Sequence, residues 1–252
     1  MATDVTLIHF GATMNRYIQS LAAFIFMAFL LMVPETGWAQ APSALPLKPS
    51  ADETTRSAAV STLARVPLHF VANQGQWADG VAYAARSEGA TVYCTDQGIA
   101  FGFADGQVGL KFSEQRRVSP EARGLLPGVV NYFVGKEAAQ WKAGVPTYQE
   151  VVYPEVYPGI DLVYEGSHRL LKYTYYLQPG ADPGQIRTTF DGVEGVSVDP
   201  TTGELVIRTP WGEMRDAAPV AYQEIQGIRQ DIAVSFRLIG EQDIGFTVGT
   251  CL

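Results

Sequence analysis

Little in this sequence supplies an active site. Its 252 residues include two cysteines, Cys94 and Cys251, and three histidines, and they hold no Cys-x-x-Cys pair and no His-Glu-x-x-His run. The common zinc sites need those spacings, so no metal is implied. The closely spaced carboxylates of a calcium loop are missing too. There is no Gly-x-Ser-x-Gly elbow, and a nucleophile needs a base beside it. His69 and His168, the two histidines beyond the N-terminal stretch, sit in no recognisable motif. No catalytic residue and no cofactor is predicted.

Positive charge is scarce as well. Lys and Arg number 18 against 26 Asp and Glu, for a net charge of −8. Such a surface repels phosphate backbones and anionic lipid, which argues against nucleic acid as a partner. Charged residues make up 17% of the chain and apolar ones 47%, a globular balance with a real core. The 25 Gly, 15 Pro, 12 Tyr and 12 Phe favour strands and tight turns over helices.

One apolar run stands out, Leu21 to Val33. It is shorter than the ~20 residues of a membrane span. Arg16 precedes it, and Gly37 and Ala39 supply small residues at −3 and −1 of a cut after Ala39. That is the pattern of a signal-peptide helix over residues 1–39, with Met14 as an alternative start. An uncleaved anchor is the other reading. The chain is expected to be exported, to the periplasm, the cell surface or beyond, with no membrane span after cleavage. Removal of 1–39 leaves 17 basic and 24 acidic residues, a net charge of −7. An exported chain can oxidise its cysteines, but Cys94 alternates with Val92 on an apolar face and Cys251 lies beside the terminus. Two inert thiols are the simpler expectation.

Residues 40–65 hold no aromatic and no Gly and are rich in Ala, Pro, Ser and Thr. They bury too little to offset ordering and read as a disordered linker, with a short helix conceivable over Arg56–Leu63. From about Val66 to the end, residues 66–252, apolar residues alternate with period two. Val108, Leu110 and Phe112 oppose Lys111; Leu171, Tyr173, Tyr175 and Leu177 oppose Lys172 and Thr174. Ile186, Thr188 and Phe190 oppose Arg187; Ile232, Val234, Phe236 and Leu238 oppose Ser235 and Arg237. Each is a half-buried strand. Asp96-Gln97-Gly98, Asp105-Gly106, Asp199 to Gly203 and Gln226-Gly227 supply turns between them, and short strands at short spacing mean antiparallel pairing. The predicted fold is all-β, an antiparallel β-sandwich-like domain. The stretch 113–150, with Pro120, Pro127 and Pro146, reads as an irregular connector between a meander over 81–113 and a larger sheet system over 145–250, which leaves open two packed lobes.

Several phrases exceed composition. Phe70 to Gln76 (FVANQGQ), Gly128 to Gly135 (GVVNYFVG), Val145 to Tyr148 (VPTY), Tyr157 to Tyr164 (YPGIDLVY), Pro179 to Pro183 (PGADP) and Pro219 to Gln223 (PVAYQ) follow one another. In this order they resemble the uncharacterised N-terminal domain that precedes SBBP (seven-bladed β-propeller) repeats in exported bacterial proteins. The likeness runs from about Phe70 to Gly249. It implies a β-rich accessory domain with no assigned reaction. Where relatives read Leu-Glu-Tyr-Asp-Phe, this chain has Leu171-Lys172-Tyr173-Thr174-Tyr175. Relatives run on into the propeller, whereas this sequence ends at Cys251-Leu252, so a truncated or stand-alone version is expected.

The residues in these phrases read first as structural. Pro158 and Gly159 suit the centre of a type II turn, and Asp161 is placed to accept backbone N–H groups and lock it. Asn73 and Gln76 should satisfy backbone groups at the domain entrance, Asn131 should be a buried amide before Tyr132 and Phe133, and Tyr222 and Gln223 close the set. The leading expectation is a non-catalytic structural or protein-interaction module with a β-propeller or other protein domain as partner, whose orphaned interface would show as an exposed apolar patch. The alternative is a cell-envelope glycan-binding or glycoside-cleaving domain. Trp77, Trp141 and Trp211 would stack on sugar faces, and a carboxylate pair would come from Asp161, Glu165, Asp191 and Glu213.

Overall fold

The computed structural model describes residues 10–17, 68–87, 89–112, 116–167 and 170–249. They form eighteen strands: β1 (Phe10–Tyr17), β2 (Phe70–Ala72), β3 (Val81–Ser87), β4 (Ala90–Thr95), β5 (Gly98–Gly102), β6 (Gln107–Lys111), β7 (Glu121–Tyr132), β8 (Lys142–Tyr157), β9 (Ile160–Ser167), β10 (Leu170–Leu177), β11 (Thr188–Asp191), β12 (Gly195–Val198), β13 (Leu205–Thr209), β14 (Gly212–Asp216), β15 (Ala221–Ile225), β16 (Ile228–Ile232), β17 (Val234–Leu238) and β18 (Asp243–Val248). All pairs are antiparallel. One long sheet runs β12-β13-β14-β1-β10-β9-β8-β2-β3-β4-β5-β6-β11-β18-β17, with β7 attached to β8, while β15 and β16 form a separate hairpin. The two ends of the long sheet, β12 and β17, come into contact. The sheet is therefore curled around its own apolar face, which is how an antiparallel sheet buries one side without a second layer of helices.

Alternation explains most of this. Val108, Leu110 and Phe112 are buried, as are Leu171, Tyr173, Tyr175 and Leu177. Thr174, expected on the water side, is buried too, in a strand paired along both edges, with β9 and with β1. The centre of the core is a relay of aromatic rings with centroids 5.0 to 6.2 Å apart: Phe112, Tyr153, Tyr164, Tyr173, Tyr175, Phe246 and Phe236. Edge-to-face pairs of this kind add about 0.5–1.5 kcal/mol each beyond area burial. Tyr153 donates its hydroxyl to the Gly98 carbonyl at 2.9 Å, so the largest of these buried phenols is satisfied.

Turn chemistry falls where glycine requires it. Gln226 and Gly227 both have positive φ, 53° and 76°, the geometry that sets the tight β15–β16 hairpin. Gly98 sits at φ 142° with the Leu110 carbonyl packed where a Cβ would be.

Two sequence expectations change. From Glu121 on, the stretch expected as an irregular connector is strand: β7 and β8 are the two longest strands among the described residues, paired from Glu121↔Val152 to Tyr132↔Lys142. Their Gly and Pro residues mark register shifts between Leu125 and Val129 and between Val130 and Tyr132, and Pro127 is tolerated because β7 has β8 as its partner and is otherwise an edge. The run Ile228–Leu238 is two strands, broken at Ala233, one on the hairpin and one on the long sheet. Within the stretch expected as a leader, residues 10–17 form β1, pairing with β10 through Phe10–Thr13 and with β14 through Met14–Tyr17. The apolar run Leu21–Val33, the 40–65 segment and Cys251 lie outside the described residues.

Candidate functional site

Much of the residue set singled out in the sequence converges on one place, the far end of the β7–β8 arm. The loop after β2 is built by two amides. Asn73 Oδ1 accepts from the N–H groups of Gly75 (2.9 Å) and Trp77 (3.2 Å), and Asn73 Nδ2 donates to the Val81 and Ala78 carbonyls. Gln76 Oε1 accepts from Gln74 N–H at 2.7 Å and Gln76 Nε2 donates to the Ala72 carbonyl at 2.6 Å. Both amide side chains are thereby spent on the backbone of this short loop, as a tight loop beside a core requires. Its product is a fixed Trp77, packed edge-on against Tyr132 at 5.5 Å. Partial burial raises the Tyr132 phenol above its ordinary 10, with the Arg86 charge acting in the opposite sense.

The arm then turns. Asn131 Oδ1 accepts from Gly144 N–H at 2.7 Å, across a residue pair that the φ of +70° at Gly144 brings together. Asn131 is exposed rather than buried: the expectation of a structural amide is met by geometry and not by burial, since β7 has no layer over it at that point. Phe133 packs edge-on against Trp141 at 5.3 Å, and Trp141 Nε1 donates to the Gly135 carbonyl at 3.3 Å. Both rings nevertheless face water, with Phe133 61% and Trp141 43% exposed. Val134 (72%), Leu125 (69%) and Val129 (57%) continue the apolar surface along β7. Sequence reading named Phe133 and Trp141 but missed Leu125, Val129 and Val134, because the register shifts in β7 erase the alternation that would assign them a side.

The other named residues lie elsewhere. Trp211, between β13 and β14, lays its ring on Gly106 in the β5–β6 turn, where any Cβ would collide with it, so it does not join Trp77 and Trp141. Gly159 has φ 71° and follows Pro158 as the type II turn demands. Asp161 Oδ1 accepts from Glu155 N–H at 2.7 Å, pinning Glu155 at a φ of +45°. Gln223 is buried and its amide donates to Gln230 Oε1, while the Arg229 guanidinium lies 3.9 Å from the Tyr222 ring centre; these hold the β15–β16 hairpin.

The carboxylates weighed for catalysis are engaged separately. Glu165 pairs with Lys172 at 2.7 Å, Asp191 with Lys111, and Glu213 with Arg215 at 3.6 Å. Among the described residues no group of three or more His, Cys, Asp or Glu is placed to hold a metal ion. A shallow depression of about 280 Å³ lies over β5, β6 and β11, and its charged lining residues are Lys111 and Asp191, paired to each other.

One buried group escaped sequence reading. Asp216, on β14, is 1% exposed. It accepts the Tyr173 hydroxyl at Oδ2, 2.8 Å away, while its Oδ1 has no partner. Beside it is a cavity of about 20 Å³ lined by Tyr164, Tyr173, Tyr175 and Thr188 among apolar residues, room for one water. Burial drives the carboxyl from its ordinary 3.8 up to about 7, opposed by the Tyr173 hydroxyl and the Ala217 N–H. Its position two residues from Met214, on the same inward face, was the available signal.

Curled antiparallel sheet, amide-locked loop and aromatic arm define an all-β domain whose most distinctive surface is apolar. The chain belongs to the family described as "Domain of unknown function (DUF7948)", whose model matches residues 70–251. No curated protein and no solved structure matches it.

Proposed function

We propose that this chain is a non-catalytic, exported β module that works by packing against a partner protein domain, and that the β7–β8 arm is the packing surface. The observation that carries the reading is the set of five large apolar side chains left exposed on one arm, Leu125, Val129, Phe133, Val134 and Trp141. Large aromatic anchors in a rigid frame are the usual centre of a protein interface, and here the frame is supplied by the hydrogen bonds of Asn73, Gln76, Asn131 and Trp141. The resemblance in sequence order to domains that precede SBBP repeats points to a β-propeller as the partner.

The test is a binding titration against the propeller of such a relative, followed by calorimetry. The wild type should bind, and a Leu125→Ser, Val129→Ser, Val134→Ser variant should bind at least about tenfold more weakly while its unfolding free energy stays within about 1.5 kcal/mol, about 0.5 for each exposed position. Undiminished binding by the variant would place the interface elsewhere. The glycan reading draws on Trp77, packed against Tyr132 of β7, and Trp141, just before β8. A glycan that raises the melting temperature of the wild type, but not of Trp141→Ser, would favour it, because a ligand of the native state must stabilise it.

A further inference from the structure

The long sheet has one strand whose place in the chain conflicts with its place in the fold. β1 is the sole strand link between β10 and β14 among the described residues: Phe10 to Thr13 register on Tyr175 to Lys172, and Met14 to Tyr17 on Asp216 to Glu213. Without it the path falls into two pieces, β12-β13-β14 and the rest, and the facing edges of β10 and β14 lose their ladder partners. The seam is not at the periphery. Tyr173, Tyr175, Met214 and Asp216 are all buried there, and the Tyr173–Asp216 hydrogen bond crosses it on the core side. Open backbone donors and acceptors next to such a core are costly and invite a strand.

β1 also precedes the apolar run Leu21–Val33 and carries Arg16. In a chain exported by such a run, the basic segment ahead of it stays on the side of origin while the downstream chain crosses. β1 and the β domain then end on opposite sides of the membrane, or β1 is cut away with residues 1–39.

We propose that the β10–β14 seam is a strand-acceptor site, and that in the exported molecule its occupant is an extended strand donated by a partner polypeptide in place of β1. This rests on the exported-module reading of the preceding subsection. The site's chemistry specifies the donor. It is about eight residues long and antiparallel to both edges, the length and direction of β1. At the positions opposite Tyr175, Tyr173, Asp216 and Met214 it meets a buried wall, so it carries small or apolar residues there, where β1 has Arg16 opposite Met214. Opposite Lys172, Arg215 and Glu213, which are half-exposed, it carries polar ones. Main-chain hydrogen bonds supply affinity and the alternate side chains supply selectivity, as in other cases of strand addition.

The experiment uses two forms of the full chain and one probe, a fluorescein-labelled peptide of the sequence Phe10–Tyr17. The first form is the protein recovered after export from a bacterial host, with its N-terminus read by intact mass. The second is the folded full chain with a specific protease site placed within residues 40–65 and cut after folding, so that residues 1–39 can be exchanged for the peptide. The expected result is saturable binding to one or both forms. Amide exchange at residues 172–175 and 213–216 should slow by about tenfold or more on binding, and a peptide with proline in place of Ala12 and Asn15 should do neither. A chain that stays in the cytoplasm with residues 1–39 intact, combined with peptide binding to the cut chain, would remove the export reading and leave the acceptor site standing. The site itself is refuted if neither form binds the peptide, or if the exported form protects those amides fully without it. A dimer that protects them would mean a second copy closes the seam, and the partner assignment would be wrong.

Discussion

Asp216 gives the most quantitative expectation. Its carboxyl is buried, has one good donor in the Tyr173 hydroxyl, and has an oxygen with no partner. Desolvation outweighs the hydrogen bonds and raises it from 3.8 to about 7. A rise of about three units corresponds to ~4 kcal/mol of differential stability between the protonated and ionised forms. The folded value lies above the unfolded one, so the native state holds the proton longer as pH rises. This group's favourable contribution is therefore fully present below the unfolded value near 4 and is lost as pH climbs through 7. Asp216→Asn keeps an oxygen to accept from Tyr173 and removes the charge. The wild type should lose roughly 3 kcal/mol relative to this variant between pH 4.5 and 8.5, the rest of the change falling below that window, measured by urea unfolding in half-unit steps with near-UV circular dichroism. The new buried amide N–H₂ costs about 1–2 kcal/mol at every pH, so the slope is decisive and the offset is not. Asp199 and Asp243 have values held below the ordinary carboxylate range, by the Thr201 and Thr202 N–H groups and by Arg187 respectively. Their contributions are lost only as pH falls below about 4, outside the window. Parallel curves for the two proteins from pH 4.5 to 8.5 would show that the carboxyl is solvated and that the seam at β14 is not closed.

Three further outcomes rest on single contacts. Gly98→Ala should cost more than about 3 kcal/mol in urea unfolding or prevent folding, since its Cβ runs into the Leu110 carbonyl at a φ that disfavours any side chain. Asp161→Ala should cost about 1–2 kcal/mol, because Glu155 N–H loses its acceptor at a left-handed residue, and a Glu155→Gly change in the same protein should recover part of that loss. The Cys94 thiol, pushed up to about 12 by burial, should remain unlabelled by iodoacetamide at pH 8 in the native chain and react once unfolded, as read by peptide mass.

The class of fold was legible because period-two alternation and turn residues are local signals. Val108, Leu110 and Phe112 face the core as their spacing dictates, and the turns at Gly98, Gly203 and Gly227 fall between strands where Asp and Gly occur in sequence. The hydrogen bonds of Asn73 and Gln76 to nearby backbone were legible for the same reason, since each acts within about eight residues of itself. Asp161, by contrast, accepts from Glu155 N–H on β8 rather than from the Pro158–Gly159 turn it was expected to lock. What was illegible depends on distant partners. Spacing puts Asp216 on the same face as Met214, but nothing local tells that Tyr173, 43 residues away, would be its partner there, or that Thr174 would be buried beside a strand from far upstream in the chain.

The departures from local rules are not scattered. β7 breaks its register at Leu125–Val129 and exposes the apolar residues assigned to the partner surface. The seam between β10 and β14 contains the buried Asp216, the buried Thr174 and the link through β1. A core that only had to be stable would place an apolar residue at position 216, since replacing a poorly partnered buried charge by a packed hydrophobe is often stabilising. Violations of local consistency tend to persist where function holds them. On the proposed reading, the arm and the seam would both serve attachment to another polypeptide, and attachment at the seam should weaken as pH rises through 7, because the carboxylate that forms at Asp216 must be buried again each time a strand closes over it; equal peptide affinity at pH 6 and pH 8.5 would refute this.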